Sequence, residues 1–180
     1  MIKITGGKLK GRSFKPPNGM NTRPTSAKVR EAIFNILNAD VLDSVWLDLF
    51  AGSGSISFEA ISRGAKEVYA IEQDKQAFTC LKNNVENLAL KEVLKIFKTD
   101  SITFLNKLDY KFDIIFIDPP YASDLYIKTM GILNKKELLN PNGLVLIEHS
   151  TKYMLPELKY TFIKNYKYGD TSLSIFRYLE

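Results

Sequence analysis

One stretch, residues 45–60, constrains the fold more than any other part of the chain. It opens with an apolar, strand-like run at 45–50 and closes with Ile56, Ala60 and Ile61 at helical spacing. The turn between the two runs consists of Ala51, Gly52, Ser53 and Gly54. Glycine lets such a turn reverse tightly and lets backbone approach a ligand closely. The stretch therefore predicts a strand, a ligand-binding turn and a helix.

A carboxylate follows at the spacing that a nucleotide-binding βαβ unit uses for ribose hydroxyls. Glu72, with Gln73 beside it, ends the next apolar run at 67–72. The third glycine of a dinucleotide site is replaced by Ser57, and Asp48 lies inside the strand before the turn. An anion there would repel a pyrophosphate and attract a sulfonium or ammonium. A ligand with ribose and no pyrophosphate fits better, and S-adenosylmethionine is one.

Strand-like and helix-like runs alternate from residue 45 onward, which predicts a mostly parallel sheet with helices on both faces. We expect strands near 45–50, 67–72, 93–98, 112–117 and 143–149, and helices near 53–63, 74–89, 101–108 and 123–134. Two further runs, 160–168 and 172–179, flank Gly169-Asp170 and predict a terminal antiparallel hairpin. The predicted fold class is α/β, Rossmann-like and doubly wound.

Positive charge is concentrated at the amino-terminal end. The chain carries a formal net charge of +5, yet residues 1–30 contain eight Lys and Arg and no Asp or Glu. The pattern of this segment predicts a hairpin whose two strands are residues 2–5 and 12–14. A helix capped by Thr25 or Ser26 is expected to follow. Lys28 and Arg30 are expected to lie off the apolar face of that helix. Such asymmetry favours contact with a polyanion through one basic surface.

A second chemical motif follows the unbroken apolar run at residues 114–117. It consists of Asp118, Pro119, Pro120 and Tyr121. The prolines stiffen the backbone and leave carbonyls as acceptors. We expect Asp118 and the Pro119 carbonyl to hold the two hydrogens of an exocyclic amine while Tyr121 stacks on its ring. Asp100 and Ser101 follow another strand; Asp100 could cap the next helix itself, or it could accept from an adenine amino group while Ser101 does the capping.

These motifs together resemble a known family. Leu47–Ser55, Ile71-Glu72 and Asp118–Tyr121 resemble the class I S-adenosylmethionine-dependent methyltransferases that carry an Asp-Pro-Pro-Tyr motif. A second set resembles, more narrowly, the bacterial small-subunit ribosomal RNA guanine-N2 methyltransferases: Gly6-Gly7-Lys8, Gly11-Arg12, Arg23-Pro24-Thr25, Val29-Arg30-Glu31 and Phe34-Asn35. The resemblance implies a seven-stranded sheet with a reversed last hairpin.

The resemblance also implies roles for individual residues. Catalysis would involve Asp118, Pro119, Pro120 and Tyr121. Cofactor contacts would come from Asp48, Ala51, Gly52, Ser53, Gly54, Glu72, Gln73, Asp100 and Ser101. RNA contacts would come from Lys8, Lys10, Arg12, Arg23, Thr25 and Arg30. Residues 1–40 would form a basic RNA-binding extension and residues 41–180 the methyltransferase domain.

Three other functions stay open at this point. The Asp-Pro-Pro-Tyr motif also occurs in adenine-N6 methyltransferases of DNA or RNA, so the target base is not fixed. Ser57 and the motif at Asp118 argue against a nicotinamide-dependent oxidoreductase. The intact motif argues against a non-catalytic ribosome-assembly factor. We further expect a monomeric cytoplasmic protein without metal or membrane span, acting on RNA within the assembling small subunit. His149, the only histidine, is expected at the pocket rim or at a helix cap.

Overall fold

A central sheet of seven strands organises the molecule. The computed structural model describes residues 1–17, 26–120 and 124–179. The strands are β3 (Val45–Asp48), β4 (Glu67–Ile71), β5 (Leu94–Phe97), β6 (Phe112–Ile117), β7 (Leu139–Ser150), β8 (Thr161–Tyr168) and β9 (Thr171–Arg177). Their order in the sheet is β5-β4-β3-β6-β7-β9-β8. The first five are mutually parallel, and β9 and β8 complete the sheet in antiparallel fashion.

Helices connect the parallel strands on both faces. They are α1 (Ala27–Leu37), α2 (Ser55–Ser62), α3 (Lys75–Asn87), α4 (Ser101–Lys107) and α5 (Leu125–Lys135). One apolar cluster unites α1, α2 and α3 with one face of the sheet, and a second unites α4 and α5 with the other. The predicted doubly wound α/β fold with a reversed hairpin is confirmed.

The sheet has a switch point between β3 and β6. After β3 the chain moves outward through β4 and β5, then returns to place β6 on the other side of β3. The two crossovers diverge there and leave a crevice at the carboxyl ends of the strands, where ligands bind in open α/β sheets. The strands that end in Asp48 and Asp118 are therefore neighbours.

The amino-terminal segment packs into the core of the sheet domain. A short antiparallel pair, β1 (Ile2–Lys3) and β2 (Ser13–Phe14), forms the predicted hairpin. Ile4 and Phe14 are 2% exposed and belong to the same apolar cluster as α2 and α3. Ser26, rather than Thr25, caps α1 by accepting from the Val29 N–H at 3.2 Å. Thr25 itself lies outside the described residues.

A buried carboxylate, Glu59 on α2, joins this segment to the sheet domain. It is 0% exposed and accepts hydrogen bonds from Thr5 and Gly6. Two guanidinium groups also reach it: Arg30 at 3.2 Å and Arg63 at 2.9 Å. Burial alone would raise the pKa of Glu59, but these hydrogen bonds and the Arg30 charge bring it below its usual value.

Arg30 is thus a structural residue. Its side chain is 1% exposed, pairs with Glu59 and donates to the Lys3 carbonyl at 2.6 Å. The prediction that Arg30 lies off the apolar face and contacts RNA is wrong, because an ion pair sealed in the core has no guanidinium surface to offer a phosphate.

Candidate active site at the carboxyl ends of the strands

The glycine turn after β3 leaves open space beside its backbone. Gly52 has φ +55°, and a Cβ placed there would meet no atom within 4 Å. Gly54 has φ +91°, and a Cβ there would lie 2.6 Å from Leu81 Cδ1 and 2.7 Å from the Phe58 ring. Gly54 is therefore needed for packing, while Gly52 serves the backbone conformation and keeps the turn accessible to a ligand.

Glu72 is held against this turn. Its carboxylate accepts from the Gly52 N–H at 2.9 Å and from the Asp74 N–H at 2.7 Å. Burial raises the pKa of Glu72, although these hydrogen bonds oppose the shift. The next residue, Gln73, is exposed. A fixed carboxylate at the end of the strand next to the turn has the placement that ribose recognition requires.

Asp48 is a buried acid with one unsatisfied oxygen. The residue is 1% exposed, and its Oδ2 accepts from the Ser57 hydroxyl at 2.6 Å. Its Oδ1 has no hydrogen-bond partner among the described residues. Burial, only partly opposed by the Ser57 hydrogen bond, raises the pKa of Asp48 to about 6. An unsatisfied buried carboxylate favours a cationic or donor-bearing ligand.

Asp118 and Glu148 stand next to each other on neighbouring strands. Ile117 of β6 pairs with Ile147 of β7 in parallel register, so the following residues, 118 and 148, are adjacent. Side chains alternate along both strands, which turns both carboxyls to the same face as Asp48. Burial, with the nearby charges of Glu148 and Asp48, raises the pKa of Asp118 well above its usual value.

The two prolines that follow differ in exposure. Pro119 is buried and Pro120 is exposed. Tyr121 lies outside the described residues. The crevice at the switch point thus brings Asp48, the Gly52 turn, Glu72, Asp118 and Glu148 to one edge of the sheet. Within the part of the chain that the structure describes, no group of three or more His, Cys, Asp or Glu is arranged to hold a metal ion.

Asp100 caps α4, which is one of the two roles that the sequence left open for it. Its Oδ1 accepts from the Thr103 N–H at 2.8 Å at the start of α4, and this bond lowers the pKa of Asp100. Ser101 is the first helical residue and is 4% exposed. Of the two caps that the sequence left open, Asp100 is therefore confirmed, because its carboxylate itself reaches the free N–H.

His149 is a buried residue of β7 rather than a rim or capping residue. It is 6% exposed, with Nδ1 2.9 Å from the Ser150 carbonyl oxygen and Nε2 2.9 Å from the Ser174 hydroxyl. Burial lowers the pKa of the imidazole. Because His149 follows Glu148 in a strand, it faces away from Asp118. The expected position at the pocket rim or a helix cap is wrong.

The basic residues of the amino-terminal segment lie away from Asp118. The Lys8 N–H donates to the Ser62 carbonyl at 2.7 Å, and Arg12 donates to the Asn87 and Leu88 carbonyls at 3.1 and 3.2 Å. These are the carboxyl ends of α2 and α3, which return toward the opposite edge of the sheet. Lys8, Lys10 and Arg12 are exposed. Arg23, like Thr25 and Tyr121, falls outside the described residues.

Two participants in this crevice are not identified by the sequence motifs. In the sequence Glu148 stands out only as the neighbour of His149, and Ser57 only as a missing glycine. The alternation of side chains along β7 could have identified Glu148, because residues 144, 146 and 148 share a face of the sheet. The Ser57 hydrogen bond to Asp48 has no comparable signal, since it depends on how α2 packs over β3.

The chain is similar to known proteins over almost its whole length. Residues 2–177 match the family model described as Conserved hypothetical protein 95. A relative from Haemophilus influenzae, named Ribosomal RNA small subunit methyltransferase D, is 33% identical over 180 residues, covering 98% of this chain and 93% of its own. A Buchnera aphidicola relative of the same name is 40% identical over 152 residues, covering 84% and 79%.

A solved structure is similar to this chain in its fold as well. The structure named "Putative methyltransferase yhhF from Escherichia coli" superposes with a TM-score of 0.90 at 29% identity, covering 99% of this chain and 98% of that one. Since the sequence match runs almost from end to end and the two structures superpose over nearly their whole length, this chain belongs to the family described as Conserved hypothetical protein 95.

Proposed function

We propose that this chain transfers a methyl group from S-adenosylmethionine to the exocyclic N2 amine of a guanine in small-subunit ribosomal RNA. The observation that carries the proposal is that Asp118 lies near Asp48, which ends the strand before the glycine turn, because β3 and β6 are paired. The names of the Haemophilus and Buchnera relatives support ribosomal RNA as the substrate.

The residues present fit the cofactor. The unsatisfied Oδ1 of Asp48 suits the positive charge of S-adenosylmethionine, and the absent side chain at Gly52 leaves room beside the turn. Glu72 would accept from the ribose hydroxyls. Ala51, Ser53 and Gly54 would shape the turn, and Gln73, Asp100 and Ser101 would border the adenine. When bound, the cofactor supplies an electrophilic methyl group.

Asp118 would make the amine reactive. The nitrogen lone pair of an aryl amine is delocalised into the ring and attacks poorly. Asp118 accepts one amine hydrogen and the Pro119 carbonyl accepts the other, so that the nitrogen becomes pyramidal and its lone pair points out of the ring plane. Positioning of this kind contributes much of the rate. The raised pKa of Asp118 also makes its carboxylate a competent acceptor for the proton that the methylated nitrogen releases.

The amino-terminal segment would hold the RNA. Lys8, Lys10 and Arg12, together with Arg23 and Thr25, supply cations or hydrogen-bond donors for phosphates. The RNA would extend over α1, α2 and α3, because the described cations lie at the helix ends opposite to Asp118. The target nucleotide would be unpaired or flipped out, with Tyr121 stacking on its base. We further propose a monomeric, metal-free cytoplasmic enzyme that acts within the assembling subunit.

A label-transfer experiment tests the proposed function. Small ribosomal subunits lacking the modification are incubated with the protein and methyl-labelled S-adenosylmethionine, and their RNA is digested to nucleosides. Label in N2-methylguanosine supports the proposal. Label in N6-methyladenosine would instead identify an adenine methyltransferase, and no transfer to RNA would reject both functions.

A further inference from the structure

Asp118 and Glu148 place two carboxyl groups side by side on neighbouring strands. Asp118 and the Pro119 carbonyl suffice for two amine hydrogens, whereas Glu148 adds another acceptor on the next strand. Residues directly opposite each other in neighbouring strands are about 5 Å apart. Glu148 is 6% exposed, so this residue is buried at the end of β7.

Three acidic side chains, Asp48, Asp118 and Glu148, are concentrated at this edge of the sheet. Glu148 and Asp48 are the two charged groups that raise the pKa of Asp118 after burial itself. Asp48 contributes a further buried oxygen, Oδ1, that has no partner among the described residues. Neighbouring carboxyl groups of this kind are complementary to a ligand that presents several N–H donors side by side.

The Watson–Crick edge of guanine has this donor pattern. It presents N1–H directly beside the N2 amine, whereas adenine has an acceptor, N1, beside its N6 amine. A carboxylate one strand away from Asp118 could accept the N1–H of a base whose amine Asp118 holds. The same carboxylate would face the N1 lone pair of adenine and repel it.

We propose that Glu148 is a specificity-determining residue whose carboxylate accepts the N1–H of the target guanine while Asp118 holds the N2 amine. This inference rests on the proposed function. The hydrogen bond does more than select the base: it withdraws the N1 hydrogen toward Glu148, increases electron density in the ring and makes N2 a better nucleophile. No proton transfer to Glu148 is required.

The test uses a base that keeps the amine and loses the N1 hydrogen. 2-Aminopurine retains N2, but its N1 is an acceptor. Small subunits are reconstituted with ligated RNA that carries guanosine or 2-aminopurine at the nucleotide mapped as the target. Methyl transfer is measured with the wild-type protein and with Glu148→Gln. Glutamine can accept from the guanine N1–H or donate to the N1 of 2-aminopurine, so this variant should tolerate both bases.

The expected result is that Glu148→Gln prefers guanosine over 2-aminopurine less strongly than the wild-type protein does. Wild-type protein should prefer guanosine over 2-aminopurine by about 100-fold in kcat/KM, the effect of losing one hydrogen bond to a charged acceptor. Glu148→Gln should reduce this preference to about 10-fold or less. The quenching of 2-aminopurine fluorescence on binding, measured without cofactor, should show the variant binding the modified RNA more tightly than wild type does.

The control is Glu137→Gln, an exposed acid near the amino end of β7 that should leave the preference unchanged. Equal preference for guanosine in wild type and Glu148→Gln would overturn the inference, as would a wild-type protein that methylates both bases equally. The second result needs no variant, so a Glu148→Gln protein that failed to fold would leave the test intact. Failure of wild type to methylate guanosine N2 at all would instead reject the proposed function.

Discussion

At the scale of single residues, environment separates carboxyl groups that look alike in the sequence. Asp100 and Asp118 both follow a strand at the edge of the crevice. A backbone N–H from Thr103 lowers the pKa of Asp100, whereas burial and neighbouring carboxyls raise that of Asp118. The first therefore stabilises a helix end, and the second remains in an unfavourable charge environment suited to chemistry.

Replacing Asp48 should increase the free energy of unfolding and weaken the binding of S-adenosylmethionine. Its folded-state pKa of about 6 lies above the usual value of 3.8, so folding above pH 6 buries a charge at a cost of about 3 kcal/mol. Asp48→Asn should therefore increase the free energy of unfolding at pH 7.5 by about 1–3 kcal/mol. The gain should disappear as the pH falls from 6 to 4, because the wild-type carboxyl then becomes neutral.

Urea unfolding at pH 7.5 and pH 4 measures this effect, with the exposed Asp109→Asn as the control. Titration with S-adenosylmethionine should show weaker binding by Asp48→Asn. A stability gain that does not depend on pH would show that Asp48 is not a buried charge in the folded protein.

Asp118 should affect turnover without affecting cofactor affinity. Asp118→Ala should reduce methyl transfer by about 100-fold or more while the dissociation constant of S-adenosylmethionine changes by less than a few-fold. Calorimetric titration and single-turnover assays measure the two quantities. A folded variant that no longer bound the cofactor would contradict the assigned role.

The wild-type rate should also depend on pH in one direction. Because the pKa of Asp118 is raised, the ionised carboxyl that accepts the amine hydrogens exists only above that raised value. Single-turnover rates at saturating S-adenosylmethionine should therefore fall as the pH is lowered, and replacing Asp118 should abolish this dependence. A profile that is flat across the acidic range would argue against ionisation of Asp118 as a requirement.

At the scale of elements, the ion pair between α1 and α2 fixes the amino-terminal segment. Glu59→Gln should lower the free energy of unfolding by about 3–5 kcal/mol, because Arg30 would keep a buried charge without a counter-ion. Glu86→Gln, which removes an exposed pair with Lys91, should cost less than about 1 kcal/mol. Urea unfolding compares the two variants.

Hydrogen exchange then locates the effect of Glu59→Gln. Amides at Thr5 and Gly6, which donate to Glu59, should lose protection before those of β3 and β4. Equal loss of protection throughout the chain would mean that Glu59 supports the whole fold rather than the attachment of this segment.

The sequence determined the type and order of the elements better than the position of charged side chains. Alternating runs predicted β3 to β7 because buried strands and amphipathic helices differ in period. Arg30 was misplaced although it precedes Ile33, Phe34 and Leu37 at helical spacing, which is the signal for the buried face. Its partner Glu59 is 29 positions away, and no local pattern identifies a pairing that depends on how two helices pack.

At the scale of the whole molecule, the proposed RNA surface and the reaction site lie toward opposite edges of the sheet. α3 has 13 residues, which corresponds to a length of about 20 Å. Arg12 contacts its carboxyl end, whereas Asp118 lies beyond the carboxyl end of β6. The boundary predicted between residues 40 and 41 remains a prediction, although Ile4 and Phe14 share the core of the sheet domain.

Removing basic residues from the amino-terminal segment should weaken RNA binding through electrostatics alone. Lys8→Ala with Lys10→Ala should reduce the slope of log affinity against log salt by about 1.4, since each phosphate of single-stranded RNA that a lysine neutralises adds about 0.7 to that slope. Filter binding at several salt concentrations measures the slope. The control pair, Lys107→Ala with Lys135→Ala on α4 and α5, should leave it unchanged. Equal slopes for both pairs would place the RNA elsewhere.

No helix in the three described stretches of the chain combines the length and apolarity that crossing a membrane requires.

Methyl transfer to a guanine amine held by Asp118 is tested most directly on ribosomal particles. Small subunits lacking the modification should acquire one labelled methyl group each, recovered as N2-methylguanosine, with wild-type protein and almost none with Asp118→Ala. Label in another nucleoside, or equal transfer by Asp118→Ala, would contradict the account.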